Sequence, residues 1–188
     1  MNKETKGYNQ EEIGKTLERI NYWISNCDTK ISFALAFSGV LLGVFFTSNT
    51  IQNSLVALFE QFSELDMYNI VVLLTTLIFV AFVICLTLSI WHFFMGLKGS
   101  VDSTVFDQDD LQTNSLLYFG TIQALKYTEF KKEVQNITKD ELGNDYLSQI
   151  HINSVICQTK FNNYKKGIIY LTAAIILFVL LNIGFLFI

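Results

Sequence analysis

Three long stretches without a charged side chain dominate the pattern of the chain. They cover residues 31–48, 70–95 and 167–188 and contain 18, 26 and 22 residues. About 20 apolar residues of α-helix cross the hydrocarbon core of a bilayer, and a single segment in lipid must pair its own backbone amides, which only a helix does. No proline interrupts the sequence. The pattern predicts an all-α membrane protein with three transmembrane helices.

Polar segments divide the rest of the chain into residues 1–30, 49–69 and 96–166. Within residues 8–29, apolar side chains recur at steps of three and four, which indicates an amphipathic helix. No helix-breaking residue separates it from the first predicted span, so we expect the two to be continuous. Residues 49–69 are expected to form a short loop.

The basic residues are confined to two of these polar segments. Five lie before the first span and eight between the second and third spans, which accounts for all thirteen, whereas residues 49–69 carry only acidic charges. Cytoplasmic segments of membrane proteins carry the excess of Lys and Arg. We therefore expect the N-terminus and residues 96–166 in the cytoplasm, and the 49–69 loop and the C-terminus outside.

Residues 96–166 are predicted to form a cytoplasmic loop and a helical stalk continuous with the third span. Residues 128–137 form a short helix, and Thr138 with Glu141 makes a capping box that starts a long one. A helix over 140–188 would be about 73 Å long. Its stripe of side chains at steps of three and four is expected to pack on the 8–29 and 128–137 helices: Leu142, Tyr146, Ile150, Asn153, Cys157, Phe161 and Tyr164.

Residues that catalyse reactions or bind metals are sparse. The two histidines and three cysteines show no metal-ligand spacing, and no phosphate-binding loop or catalytic motif is present. Asp107, Asp109 and Asp110 lack the central Gly and terminal Glu of a calcium loop. The spans contain no Asp, Glu, Lys or Arg, which pumps and transporters generally need. We expect neither catalytic residues nor a metal site.

Small residues line one face of the first span. Ser32, Ala36, Gly39 and Gly43 follow steps of four, three and four, and a GxxxG pair lets helices approach closely. The simpler interpretation is that this face packs on other helices of the same chain. The more specific one is that it forms a homo-oligomer seam, a contact between copies of the chain.

Three groups of residues resemble a known family. They are Asp28-Thr29-Lys30 at the entry to the first span, Tyr118-Phe119-Gly120-Thr121-Ile122 after the second, and Gln149-Ile150-His151 with Ser154, Lys160 and Phe161 before the third. With these groups and the order of spans over nearly the whole chain, the sequence resembles the transmembrane effectors of Pycsar, a bacterial anti-phage system. The resemblance implies a multi-pass protein of the bacterial plasma (inner) membrane.

The resemblance also implies a mechanism. A nucleotide cyclase answers infection with cyclic CMP or cyclic UMP, the effector responds in the cytoplasm, and its spans oligomerise or rearrange. Membrane integrity is lost and the infection is aborted. The expected partners are the lipid bilayer, further copies of the chain and the signal from the cyclase, with no nucleic acid, no enzymatic activity and no cofactor besides the activating nucleotide.

An anionic ligand needs cationic donors, and the stalk offers Arg19, Lys126, Lys131, Lys132 and Lys160. Each alone is more often a solvated surface residue. Either these side chains bind the ligand or a partner protein senses it. The main alternative function is a constitutive membrane scaffold or accessory subunit that docks a cytoplasmic partner through the stalk.

Overall fold

Helices account for most of the chain that the structure describes. The computed structural model describes residues 9–63, 70–99 and 103–187, of which 89% are helical and none forms a strand. The elements are α1 Gln10–Thr47, α2 Asn49–Ser63, α3 Ile70–Lys98, α4 Phe119–Ala124, α5 Tyr127–Asn136 and α6 Lys139–Gly184, with 3-10 turns at Ser103–Phe106 and Phe185–Phe187. The predicted all-α fold is confirmed.

Three of these helices are long and apolar enough to cross a membrane. They are α1, α3, and α6 with its following turn, and their most apolar 18-residue windows have mean hydropathies of 1.8, 3.0 and 2.5. The predicted spans correspond to the apolar parts of these helices. The predicted three-helix membrane protein is therefore confirmed, and so is the continuity of α1 and α6 beyond their apolar parts.

The connection after the first span is a helix rather than the predicted loop. α2 runs over Asn49–Ser63 and buries Ile51 and Leu58. These two residues are seven positions apart, which is two turns of a helix, and no Gly or Pro interrupts the segment. A helix therefore pairs the backbone amides of this segment and places both apolar side chains on one buried face. Residues 64–69 of the predicted loop lie outside the described residues, and the external position of α2 stays a prediction.

The chain forms two compact units. We call residues 28–63, 70–98 and 161–187 the span unit, and residues 9–27, 99 and 103–160 the polar unit. Both α1 and α6 contribute residues to both units.

The core of the span unit is aromatic. Phe82 of α3 is 1% exposed, and its ring centroid lies 5.4 Å from that of Phe45 on α1 and 5.7 Å from that of Phe178 on α6. Aromatic pairs at such distances contribute about 0.5–1.5 kcal/mol each beyond area burial. One phenylalanine therefore joins all three candidate spans.

Two glycines let α6 approach α3 closely. A Cβ at Gly167 would lie 2.5 Å from Phe93 Cε1, and one at Gly184 would lie 2.7 Å from Thr75 Oγ1. Ser89 Oγ also donates a 2.9 Å hydrogen bond to the Gly167 carbonyl. In lipid, helix association depends on van der Waals contact and such hydrogen bonds, both of which small residues permit. Two close glycine contacts of the described span unit therefore belong to the α3–α6 pair.

The two glycines on the small-residue face of α1 have open space beside them in the described parts of the chain. A Cβ added at Gly39 or Gly43 would meet no atom within 4 Å, whereas Ile31 and Phe45 on the opposite side are buried. Packing of Gly39 and Gly43 within one chain is therefore not found among the described residues, and the choice between packing within one chain and a homo-oligomer seam for the whole face stays a prediction. The face is open to lipid or to another copy, and all its four members are exposed: Ser32, Ala36, Gly39 and Gly43.

The start of the long stalk helix is built as predicted. Thr138 N–H donates to Glu141 Oε2 at 2.8 Å, and Glu141 N–H donates to Thr138 Oγ1 at 3.3 Å. This capping box satisfies two amides that a helix start leaves unpaired. α6 has 46 residues and is therefore about 69 Å long.

Candidate functional site

One face of α6 buries polar side chains in the polar unit. Asp145 is fully buried, and Ser148, Gln149 and Lys160 are at most 7% exposed. The stripe predicted from the sequence, which begins at Leu142, is only half-buried. The most buried face of α6 lies beside this stripe. It was not predicted because the spacing of apolar residues does not reveal polar side chains that packing has enclosed. Since buried polar atoms require partners, those partners define the site.

Two of these side chains hold an irregular segment, residues 111–118, which we call the strap. Asp145 Oδ2 accepts a hydrogen bond from the Leu116 N–H at 2.8 Å, and Ser148 Oγ accepts one from the Gln112 N–H at 2.9 Å. A segment outside helices and strands must find other partners for its amides. The α6 carboxylate and hydroxyl supply them, so these two hydrogen bonds fix the strap to α6.

Asp145 retains an unused acceptor. Its Oδ1 is buried and has no hydrogen-bond partner among the residues that the structure describes. An unsatisfied buried group of this kind costs about 1–3 kcal/mol. The carboxyl group therefore has capacity for one more donor.

Ser115 joins the strap to α4. The Thr121 hydroxyl donates to the Ser115 carbonyl and, at 2.9 Å, to the Tyr118 carbonyl. A Cβ at Gly120 would lie 2.5 Å from Tyr118 Cε1, so the position accommodates glycine alone without movement of the ring. The Tyr-Phe-Gly-Thr-Ile motif thus shapes the junction between the strap and α4.

The strap forms one wall of a cleft of about 770 Å³, whose other walls are α4, α5 and the first turn of α6. Small-molecule sites have volumes of about 300–1,000 Å³. The described lining combines three carboxamides, two carboxylates, two hydroxyls and four apolar side chains: Gln112, Asn114, Asn136; Glu133, Glu141; Ser115, Thr121; Leu116, Ala124, Leu125 and Ile137. The size and the mixed lining suit a small polar organic molecule.

Glu141 gives one edge of this cleft a negative charge. Hydrogen bonds from the backbone amide and the hydroxyl of Thr138 lower the pKa of the Glu141 carboxyl group. The ionised carboxylate also lies at the N-terminus of α6, where the helix dipole favours an anion. At neutral pH the carboxylate therefore remains charged.

The five cations predicted to bind a ligand are divided among three elements. Lys126 immediately precedes α5, and Lys131 and Lys132 lie on it, all three exposed. Arg19 is exposed on α1, where its guanidinium donates to oxygens of the preceding turn. None of the five is among the described residues that line the cleft. Their role in ligand binding stays a prediction.

Lys160, the fifth cation, is buried beside Gly99. The glycine has a φ of 56°, and a Cβ there would lie 2.7 Å from Lys160 Cε. Glycine suits both the positive φ and the close approach. The aliphatic part of Lys160, which is 6% exposed, therefore packs directly on the backbone that follows α3.

The sequence analysis singles out Thr121 and Glu141 but misses most of the residues that hold and line the cleft. Gln112 and Leu116 bind α6 through backbone amides, which no side-chain pattern marks. Ser148 and Gln149, by contrast, follow Asp145 at spacings of three and four on α6. A polar stripe beside the apolar one on a long helix is the signal that could have found them.

Comparisons with known proteins confirm the resemblance drawn from the motifs. A family model described as the Pycsar effector protein domain, PycTM, matches residues 12–188. Pycsar effector protein GmPycTM of Gulbenkiania mobilis is 49% identical over 191 residues, which cover 99% of this chain and 97% of that protein. No solved structure matches the chain. The two matches extend over nearly its full length, and the chain therefore belongs to the Pycsar effector family of anti-phage defence proteins.

Proposed function

We propose that the protein is a non-enzymatic membrane effector that cyclic CMP or cyclic UMP, made by a nucleotide cyclase during infection, activates from the cytoplasm. Binding makes the spans oligomerise or rearrange, and loss of membrane integrity aborts the infection. One observation carries the proposal: the unit with the cleft and the unit with the spans share α1 and α6. A change of packing around the cleft therefore acts on α6, whose first turn lines the cleft and which continues into the span unit.

Basic side chains of the polar unit supply the donors for the anionic ligand in this proposal. Replacing Lys131 and Lys132 together by Glu should remove most of the response to the cyclic nucleotide, because two attractive charges become repulsive. The matched control is Asp109→Asn with Asp110→Asn in an exposed turn, where Asn tolerates the φ of 63° at Asp110. The control should respond as the wild type does.

The proposed location is the bacterial plasma (inner) membrane, with the N-terminus and the polar unit in the cytoplasm and the C-terminus outside. All thirteen basic residues lie in the segments assigned to the cytoplasm, which supports this orientation. A reporter inserted after Asn53 should report outside, and one after Thr128 should report the cytoplasm. A cytoplasmic signal from the insertion after Asn53 would reverse the orientation.

The exposed small-residue face of α1 is the proposed oligomer seam. It leaves the backbone open to close approach by a second helix. Gly39→Ile should reduce cross-linking between copies and abolish toxicity while insertion stays normal. Val40→Ile, at a neighbouring exposed position outside the small-residue face, is the control and should cross-link like the wild type.

Growth of cells tests the function itself. Co-expression with a pyrimidine nucleotide cyclase should arrest growth, whereas either protein alone should not. Arrest with the effector alone would show that the nucleotide is not the trigger. Normal growth under both conditions would favour the alternative, a constitutive scaffold that docks a cytoplasmic partner through the stalk.

A further inference from the structure

The carboxamides of the cleft are available to a ligand. The side chains of Gln112, Asn114 and Asn136 line it, and none makes a hydrogen bond to a described residue. A carboxamide presents a donor beside an acceptor. The edge of a pyrimidine base presents the complementary pair, which is why Asn and Gln recognise base edges.

The charges of the lining favour the uncharged part of a nucleotide. Glu133 and Glu141 can accept hydrogen bonds from ribose hydroxyls or from the exocyclic amine of cytosine, but they repel a phosphate. The described lining contains no Lys or Arg. Leu116, Leu125 and Ile137 supply the apolar surface that a base needs for its faces.

Helix geometry puts one lysine at the rim of the cleft. Successive residues of an α-helix are about 100° apart, so Lys132 is about 40° from Asn136 around α5, whereas Lys131 is about 140° from it. Glu133 and Asn136 both face the cleft. Lys132 therefore flanks the lined face, and Lys131 lies on the far side of α5.

The cleft is also connected to α6 by defined hydrogen bonds. Gln112 and Leu116 line it, and their amides are held by Ser148 and Asp145 of α6. A molecule that moves these strap residues must change those hydrogen bonds. The unpartnered Oδ1 of Asp145 is available to a shifted amide.

We infer that the cleft binds the base and ribose of a pyrimidine cyclic nucleotide, and that Lys132 at the rim holds its phosphate. This inference rests on the proposed function, and it assigns the ligand to one site of the polar unit. It also separates Lys132 from Lys131, which have equal roles in the broader proposal.

Calorimetry on the full-length detergent-solubilised chain, titrated with cyclic UMP and cyclic CMP, tests the inference. Asn136→Ala should weaken binding about tenfold, because it removes both hydrogen bonds of a bidentate contact. The matched control is Gln135→Ala, since Gln135 is the adjacent exposed residue of α5 and does not line the cleft. The control should bind like the wild type.

Lys132→Glu should also weaken binding about tenfold or more, and it should lower the dependence of affinity on salt because an attractive charge is lost. Lys131→Glu should change affinity less than about threefold, since its exposed charge is screened and lies farther from the phosphate. All four substituted side chains are exposed, so circular dichroism should show unchanged folding.

The outcomes distinguish a failure of the binding site inferred here from a failure of the proposed activation by a cyclic nucleotide. If the wild type binds and the cleft variants bind equally well, the nucleotide occupies another site and the inference is wrong, while direct sensing stands. If Lys131→Glu and Lys132→Glu are equally impaired, the phosphate is not held at this rim. If the wild type binds neither nucleotide, direct sensing itself is wrong and the cleft is not a nucleotide site.

Discussion

The polar unit buries charged and carboxamide side chains, whereas the polar side chains buried in the described part of the span unit are hydroxyls alone. The span unit encloses Phe82, Phe93 and Leu181, whereas the polar unit encloses Asp145, Ser115 and Ser148. In lipid, close fit holds helices together, and such packing does not adjust easily to a change in volume. The buried polar contacts of the other unit depend on individual hydrogen bonds, for which a polar ligand can compete. The buried hydrogen bonds of the polar unit are therefore easier for a polar ligand to rearrange than the close packing of the span unit.

The largest effect that follows from this difference concerns two glycines. Gly167→Ile should destabilise the protein by about 1–3 kcal/mol or more, because overpacking forces movement of Phe93. Gly39→Ile should leave the unfolding of the monomer nearly unchanged, since its surroundings are open. Thermal unfolding in detergent measures both. Equal unfolding temperatures of the two variants would mean that Gly167 is no more closely packed against α3 than Gly39 is against its surroundings.

A second prediction addresses the carboxylate under the strap. Asp145→Ala leaves the Leu116 amide without its acceptor and should destabilise the strap by about 1–3 kcal/mol. Asp145→Asn keeps an acceptor and should cost less. Hydrogen exchange at the Leu116 amide measures the change. Unaltered protection of the Leu116 amide in Asp145→Ala would mean that Asp145 does not hold the strap.

A smaller effect is expected at the other anchor of the strap. Ser148→Ala removes the acceptor of the Gln112 amide and should cost about 0.5–1.5 kcal/mol. Ser154→Ala is the matched control, because the Ser154 hydroxyl donates only within its own helix to the Ile150 carbonyl. Faster exchange of the Gln112 amide in the first variant alone is the expected result. Identical exchange in both would leave Ser148 without an anchoring role.

The smallest effect depends on pH. The pKa of Glu141 is lower in the folded protein than its ordinary value of 4.5, so the unfolded chain binds the proton more tightly. Its contribution to stability is present above pH 4.5 and disappears as the pH falls through the lower folded value. Glu141→Gln should flatten the stability profile below about pH 4.5. An unchanged slope of stability against pH in the variant would mean that the Glu141 carboxyl group makes no contribution to this dependence.

Sequence patterns predicted the helices far better than the cleft. The uncharged stretches marked the spans, and Thr138 and Glu141 marked the start of α6, because lipid and helix ends impose local requirements on composition. α2 was missed because a short segment between two spans resembles a loop in polarity. The strap was missed because its contacts join backbone amides to residues 29 and 36 positions away, Leu116 to Asp145 and Gln112 to Ser148.

The glycines show the same limit within the spans. Gly39 and Gly43 form a recognisable motif, yet two close contacts found among the described span residues are at Gly167 and Gly184. Their spacing matches no helix-packing motif, and their partners Phe93 and Thr75 are known only once the helices are placed. A motif indicates where a helix can be approached, and the fold decides which approach is used.

Dye release from liposomes tests the central claim most directly. Wild-type protein is reconstituted into vesicles loaded with a self-quenched dye, and cyclic UMP or cyclic CMP is then added outside, where it reaches the copies whose polar unit faces outward. The account predicts release that begins on addition of the nucleotide, is reduced in Gly39→Ile, and is absent from protein-free vesicles. Release at the same rate without nucleotide, or no release with either nucleotide, would contradict the claim that this protein is a nucleotide-triggered membrane effector.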